Sequence, residues 1–247
     1  MTMLLIAGLF LPLYPLSALL NAALARLRPS AMRFVMLLVW PQLGVLFIQQ
    51  SAADVPPWLA AWALLSAALY ALRLLTCRDL GRAAGYLATS ATALTWGLAA
   101  SHAEVTRLSM FAFSLSLPAA LMTLLNGVLA RRFGAAYAGA CGGLGSALPR
   151  WSAMLAIILL AAIATPPFPG FFALLDLLDR SNLAVAIAVL TLWLIWGWGA
   201  VRLMQGFIAG NFHHDASKDM RPSQILTWGS VLLAFVGAGL YFSGAAA

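Results

Sequence analysis

The sequence predicts an all-α, polytopic membrane protein of about eight transmembrane helices, one of them broken by proline and glycine. Three observations carry this. Of the 247 residues, 63% are hydrophobic and only 9% charged. Apolar runs long enough to cross a bilayer, about 18 residues or more, recur along the whole length. Basic residues gather in alternate loops. Lipid offers no hydrogen-bond partners, so a spanning backbone must satisfy itself as helices or as a closed barrel. The roughly ten-residue alternating segments of a barrel are not seen.

Eight windows follow in order: 3–24, 34–52, 56–76, 83–101, 105–129, 151–178, 182–208 and 223–243. In the first, Ala23 and Ala25 form an A-x-A like that of a signal peptide. Met-Thr-Met supplies no basic residue ahead of it, and Arg26 and Arg28 come just after, so a retained span is expected. The second and third windows read as generic apolar helices. The fourth, AAGYLATSATALTWGLAAS, sets Tyr86 and Ser90 four residues apart on one face, with Thr89, Thr92 and Thr95 nearby. The fifth adds Ser114, Ser116, Thr123 and Asn126. Such groups either bond back to their own helix or a neighbour, or line a watery path that carries protons between titratable groups. In the seventh, Arg202 stands four residues past Trp198 and reads as an interfacial anchor that snorkels to the cytoplasmic face.

The sixth window contains ATPPFPGFFALLDLLDR, residues 164–180. Pro166, Pro167 and Pro169 have no amide hydrogen, so carbonyls one turn earlier lose their helical partners, and Gly170 permits a sharp bend. Two readings stand: a kink in a packed helix, or the kind of interrupted helix around which transporters build ion sites. Asp176 has two readings as well. If 151–178 is one span, it lies near the outer interface and pairs with Arg180 at i+4. If the chain folds back after Pro166, it sits deeper and becomes a candidate proton-carrying acid.

All basic residues except Arg107 and Arg180 fall in one set of alternate loops and flanks. That bias predicts both termini on the non-cytoplasmic side of the cell inner membrane. It also explains the net charge of +7 by topology and anionic lipid rather than by nucleic acid. Cys77 and Cys141 fall on the predicted cytoplasmic side, where thiols stay reduced. No metal-type cysteine spacing and no phosphate-binding glycine motif occurs, so no cofactor and no metal are expected. His213, His214, Asp215 and Asp219 share a loop, but adjacent histidines point apart on regular structure. No Lys, Glu or His is placed at the centre of any window, and no convergent nucleophile and base can be set on neighbouring spans, which argues against an enzyme.

With these residues in view, the chain resembles the antiporter-like membrane subunits shared by respiratory complex I, Mrp-type cation/proton antiporters and related hydrogenases. Such subunits carry D-x-K-R-x-x-A-Y-x-x-x-S-H-M-G entering a helix; Asp79, Arg82, Tyr86 and Ser90 occupy the matching positions here. They later carry G-G-L and then P-G-x-P-G-F-x-G-E-F, matched by Gly142, Gly143 and Leu144 and then by Pro166, Pro169, Gly170 and Phe171. The resemblance runs from Asp79 to Phe242. It implies two regions, 1–78 as three generic helices and 79–247 as an antiporter-like domain corresponding to the second of the family's two repeats. Departures fall on the titratable positions: Gly81 replaces a lysine, Ala91 a histidine, Leu115 and Ala119 an H-x-x-x-K pair, and Leu174 the acid after the break. Asp176 is two residues further on, a rotation of about 200° around a helix.

The resemblance implies a shortened subunit that couples proton or cation movement to at least one partner, with Asp176, Tyr86, Ser90, Thr89 and Asn126 as the candidate path. Among relatives, inorganic-carbon accumulation systems pair such a membrane protein with a zinc-containing, carbonic-anhydrase-like protein, and that partner is the expectation carried by the P-P-F-P-G-F form of the break. The competing expectation is a non-conducting anchor in a complex I- or hydrogenase-like assembly.

Overall fold

A computed structural model describes residues 2–51, 54–212 and 219–245. Among them the regular structure is helical: α1 Thr2–Phe10, α2 Ser17–Arg26, α3 Ser30–Gln50, α4 Pro57–Thr76, α5 Leu80–Ala93, α6 Thr95–Ala100, α7 Val105–Phe133, α8 Leu144–Ala147, α9 Pro149–Ala162, α10 Pro169–Asp179, α11 Leu183–Ile208 and α12 Pro222–Ala245. Five of these, α3, α4, α7, α11 and α12, are long and apolar enough to cross a membrane. The remaining three windows are each two shorter helices: 3–24 is α1 and α2, 83–101 is α5 and α6, and 151–178 is α9 and α10. One interruption was expected where the chain has three.

The physical reason differs between them. In the first, Pro12 and Pro15 cannot donate, and the freed carbonyls are taken by tryptophans from elsewhere. Trp40 Nε1 donates to Leu9 O at 3.1 Å, Trp96 Nε1 to Leu11 O at 3.0 Å and Trp62 Nε1 to Tyr14 O at 2.6 Å. The Tyr14 amide in turn donates to Ser66 Oγ at 2.9 Å. Buried backbone groups need partners, and here indoles of α3, α4 and α6 supply them. Between α5 and α6 there is no proline. Thr89 and Thr92 instead donate to Gly85 O and Ala88 O, one turn back, an arrangement that loosens a helix, and the turn at Leu94 follows.

Helix α7 is the axle of the bundle, with 72% of its apolar window buried. It packs on α3, α5, α9 and α10, while α4 packs on α5 and α11. One apolar cluster runs from Leu4 through Leu74, Leu121 and Leu159 to Leu232, so helices on both sides of Asp79 share a core. Helix α12 rests mainly on α10. A Cβ at Gly239 would collide with Pro167 O and the Pro169 amide nitrogen, so glycine lets α12 lie directly against the turn between α9 and α10.

The connections divide between two ends. At one, Leu80 N donates to Ala136 O, Ala138 N to Arg78 O, Gly139 N to Gly206 O and Gly143 N to Ala209 O. Gly143 has φ +75°, and any side chain there would strike the backbone of Asn211 and Phe212. Asp219 belongs to this end too, its carboxylate accepting from the amides of Arg150 at 2.8 Å and Trp151 at 3.3 Å, a cap for α9 brought from a distant loop. At the other end, His102 Nδ1 lies 3.5 Å from Asp54 Oδ1, and Arg107 meets Asp176. His213, His214, Asp215 and Lys218 lie outside the described residues.

Candidate functional site

The turn between α9 and α10 forms as the prolines dictate. In a continuous helix Pro167 would donate to Ile163 O; lacking the hydrogen, it leaves that carbonyl to Trp193 Nε1, at 2.6 Å. Thr165 donates to Leu160 O through both its amide, at 3.1 Å, and its hydroxyl, at 2.9 Å. Ala164 takes φ +54°, and a Cβ on Gly170 would come within 3.2 Å of Ala164 Cβ and 3.3 Å of Leu115 Cδ2. Phe171 then meets Phe172 edge-to-face and Trp193 at a tilt, with centroids 5.3 and 5.8 Å apart. The segment is closed on itself and on α11.

Asp176 lies near the end of α10 and is about one-third exposed. Its Oδ1 accepts from Arg180 Nε at 2.9 Å and from Arg107 Nη1 at 3.3 Å. The i+4 pair is therefore present, and a second arginine, from the first turn of α7, joins it. Hydrogen bonding and charge from Asp176 push the Arg180 pKa further up, so this guanidinium stays charged. Leu174, the residue standing at the family's acid position, is fully buried and apolar.

On α5 the hydroxyls are committed. Ser90 Oγ donates to Ala67 O of α4 at 2.7 Å and accepts from Trp196 Nε1 of α11 at 2.9 Å. Thr89 Oγ1 accepts from Asn21 Nδ2 of α2 at 3.0 Å. Tyr86 is half-buried, its ring 5.8 Å from that of Tyr70, whose buried hydroxyl has no hydrogen-bond partner. Ser114, Ser116 and Thr123 each bond a carbonyl three residues back. The buried polar residues among those described are Ser, Thr and Asn126, with no Asp, Glu, Lys, Arg or His.

Asp79 caps α5 by accepting from the Arg82 amide at 2.7 Å, a local reason for the spacing of these two residues. Beside this cap is a cavity of about 400 Å³ lined by Asn21, Arg33, Asp79, Arg82 and Tyr86. A Cβ on Gly81 would lie 3.0 Å from both Arg33 Nη1 and Asn126 Nδ2. A larger side chain at position 81 would have to displace the Arg33 guanidinium, which reaches over it from α3. Gly142 and Gly143 sit well away, in the backbone junction with residues 209–212. The candidate path residues thus fall into separate places: Tyr86 at the cavity, Asn126 against Gly81 beside it, Thr89 next to it through Asn21, Ser90 in a fully buried contact, and Asp176 near the opposite end. Asn21 and Arg33 were missed from sequence. Asn21 is the one amide in its apolar window, and Arg33 reads from sequence only as a topology charge.

No family model matches the sequence, and no curated protein matches it either. Solved structures do. A chain of respiratory complex I from Thermus thermophilus with bound NADH is 20% identical and superposes with a TM-score of 0.77, over 97% of this chain and 54% of that one. A chain of the Mrp complex from Dietzia sp. DQ12-45-1b is 14% identical, with a TM-score of 0.71 over 90% of this chain and 44% of that one. A chain of the membrane-bound sulfane sulfur reductase, an archaeal respiratory membrane complex, is 16% identical, with a TM-score of 0.80 over 95% and 43%. The chain therefore shares the fold of these membrane-complex chains and spans about half the length of those it matches. At 97% coverage the likeness takes in the helices ahead of Asp79 as well.

Proposed function

We propose that this chain is a membrane subunit of a cation-translocating complex, coupling proton or cation movement to a partner subunit. The observation that carries the proposal is the antiporter-like fold combined with an interior that holds hydroxyls and an amide but, among the described residues, no buried acid or base. A proton relay needs titratable stations. In this reading the chain contributes the polar entrance around Asn21, Arg33, Tyr86 and Asn126, and the partner contributes the groups that exchange protons. The turn between α9 and α10 is then a break within one span, and the twofold partition of the loops supports multi-pass insertion in the inner membrane with both termini non-cytoplasmic.

Asp176 acts as a tie between α10 and α7 rather than as a relay. Both of its partners are arginines near the bundle's end, and the side chain is about one-third exposed. Asp176→Asn is expected to leave flux intact while lowering thermal stability in a salt-sensitive manner. The decisive experiment is purification from native membranes in mild detergent, followed by potential-driven proton uptake in vesicles with and without whatever co-purifies. Flux that depends on the partner supports the proposal. A partner-bound, correctly oriented complex with no flux sinks it and leaves the anchor reading, which the committed Ser90 and Thr89 hydroxyls favour. The finer form of the proposal, inorganic-carbon accumulation with a zinc-containing carbonic-anhydrase-like partner, rests on the form of the proline break, and the identity of the captured protein tests it.

A further inference from the structure

A groove of about 1240 Å³ runs along α11 beside the turn that follows α9. One wall is Ile163 and the ring of Trp193, and the indole is held in place by its hydrogen bond to Ile163 O. The floor is hollow at Gly197, where a Cβ would meet no atom within 4 Å. The lining is apolar until the C-terminal third of α11, where Arg202 and Gln205 close the groove. Trp198, 68% exposed, stands one turn before Arg202.

Depth gives the arrangement its meaning. Helix α11 has 26 residues, about 39 Å, against a hydrocarbon core of about 30 Å, so its ends protrude into the headgroup layers. Arg202 lies six residues before Ile208, about 9 Å from the helix end, so on a centred helix its Cα is about 4–5 Å inside the hydrocarbon boundary and its long side chain snorkels to the headgroups. Its guanidinium is exposed and pairs with no carboxylate among the described residues. A cation at that depth calls for an anion, and a planar guanidinium fits phosphate bidentately.

We infer that this groove is a binding site for one anionic phospholipid, with its phosphate on Arg202 and Gln205 and an acyl chain over Gly197 against Trp193. The inference rests on the membrane placement of the chain but not on ion coupling. A partner helix is the poorer fit, because its apolar surface leaves Arg202 without an anion, whereas an amphiphile with an acidic head matches both ends of the groove.

The test is native mass spectrometry of delipidated protein titrated with dioleoyl phosphatidylglycerol or dioleoyl phosphatidylcholine. Wild type is expected to hold one phosphatidylglycerol more tightly than phosphatidylcholine. Arg202→Gln should weaken that binding about tenfold and erase the preference, and Gly197→Leu, filling the floor, should weaken both lipids. Equal binding of the two lipids by wild type, or unchanged binding in both variants, overturns the inference. So does a photo-crosslinker at Leu194 that captures a protein chain instead of lipid in native membranes. Loss of partner capture with lipid binding intact counts against the proposed function alone.

Discussion

Removing the Ser90 hydroxyl tests whether that residue is a packing joint. Ser90 and Trp196 are both fully buried, and the hydroxyl joins α4, α5 and α11 by donating to Ala67 O and accepting from Trp196 Nε1. Ser90→Ala strips a buried indole N–H of its acceptor, a cost of about 1–3 kcal/mol. Inside membrane proteins the coupling measured for such pairs averages about 0.6 kcal/mol and reaches about 1.7 kcal/mol. The upper part of that range applies here, because both side chains are fully buried and no other acceptor is bonded to the indole. Trp196→Phe loses the same bond together with packing. The double variant leaves no orphaned donor, so its cost should fall short of the sum of the single costs by about 1–1.7 kcal/mol. Equilibrium unfolding in SDS and mild-detergent mixed micelles, followed by circular dichroism, measures all four corners of the cycle. Additive costs, with coupling below about 0.5 kcal/mol, would refute the reasoning.

Asp219→Ala removes the cap from the first turn of α9 and should cost about 0.5–2 kcal/mol in the same assay, while Asp219→Asn keeps part of it. Gly239→Leu cannot lie against Pro167 and Pro169, so α12 should release from α10. Limited proteolysis of the 208–222 connection reads that release as faster cleavage, with wild-type rates as the refuting result. Burial pushes the Cys77 thiol above its ordinary pKa, and its Sγ donates to Asp79 O at 3.4 Å. The thiolate is therefore scarcer than in a free cysteine at neutral pH, so maleimide should react slowly and faster as pH rises. A rate equal to that of the SDS-unfolded protein would contradict this.

The long helices were legible because a bilayer imposes length and apolarity on contiguous sequence, as in residues 30–50 and 183–208. The end of α9 at Ala162 was legible because the three prolines that follow announce lost donors. The turn at Leu94 was not, since threonine hydroxyls that bond back along a helix are common and most leave it intact. Nor could the tryptophan caps be read: Trp96 serves Leu11 across 85 positions, and nothing in either stretch names the other. At the candidate site, Ser90 and Thr89 stood out as hydroxyls, but their partners Trp196 and Asn21 are fixed by three-dimensional packing. Asp176 drew notice through its charge. Its tie to Arg107, 69 residues earlier in the chain, depends on how α7 and α10 cross.

Helices α9 and α10 have 14 and 11 residues, about 21 and 16 Å, and neither alone reaches across a hydrocarbon core of about 30 Å. During synthesis the insertion machinery receives two half-length pieces whose joining turn is finished by Trp193, which leaves the ribosome 26 residues after Pro167. The nascent segment must therefore wait, sheltered, until α11 arrives with its indole, and α12 closes over it last. Completion of this turn needs the C-terminal third, so a product truncated before residue 193 should be degraded by quality-control proteases.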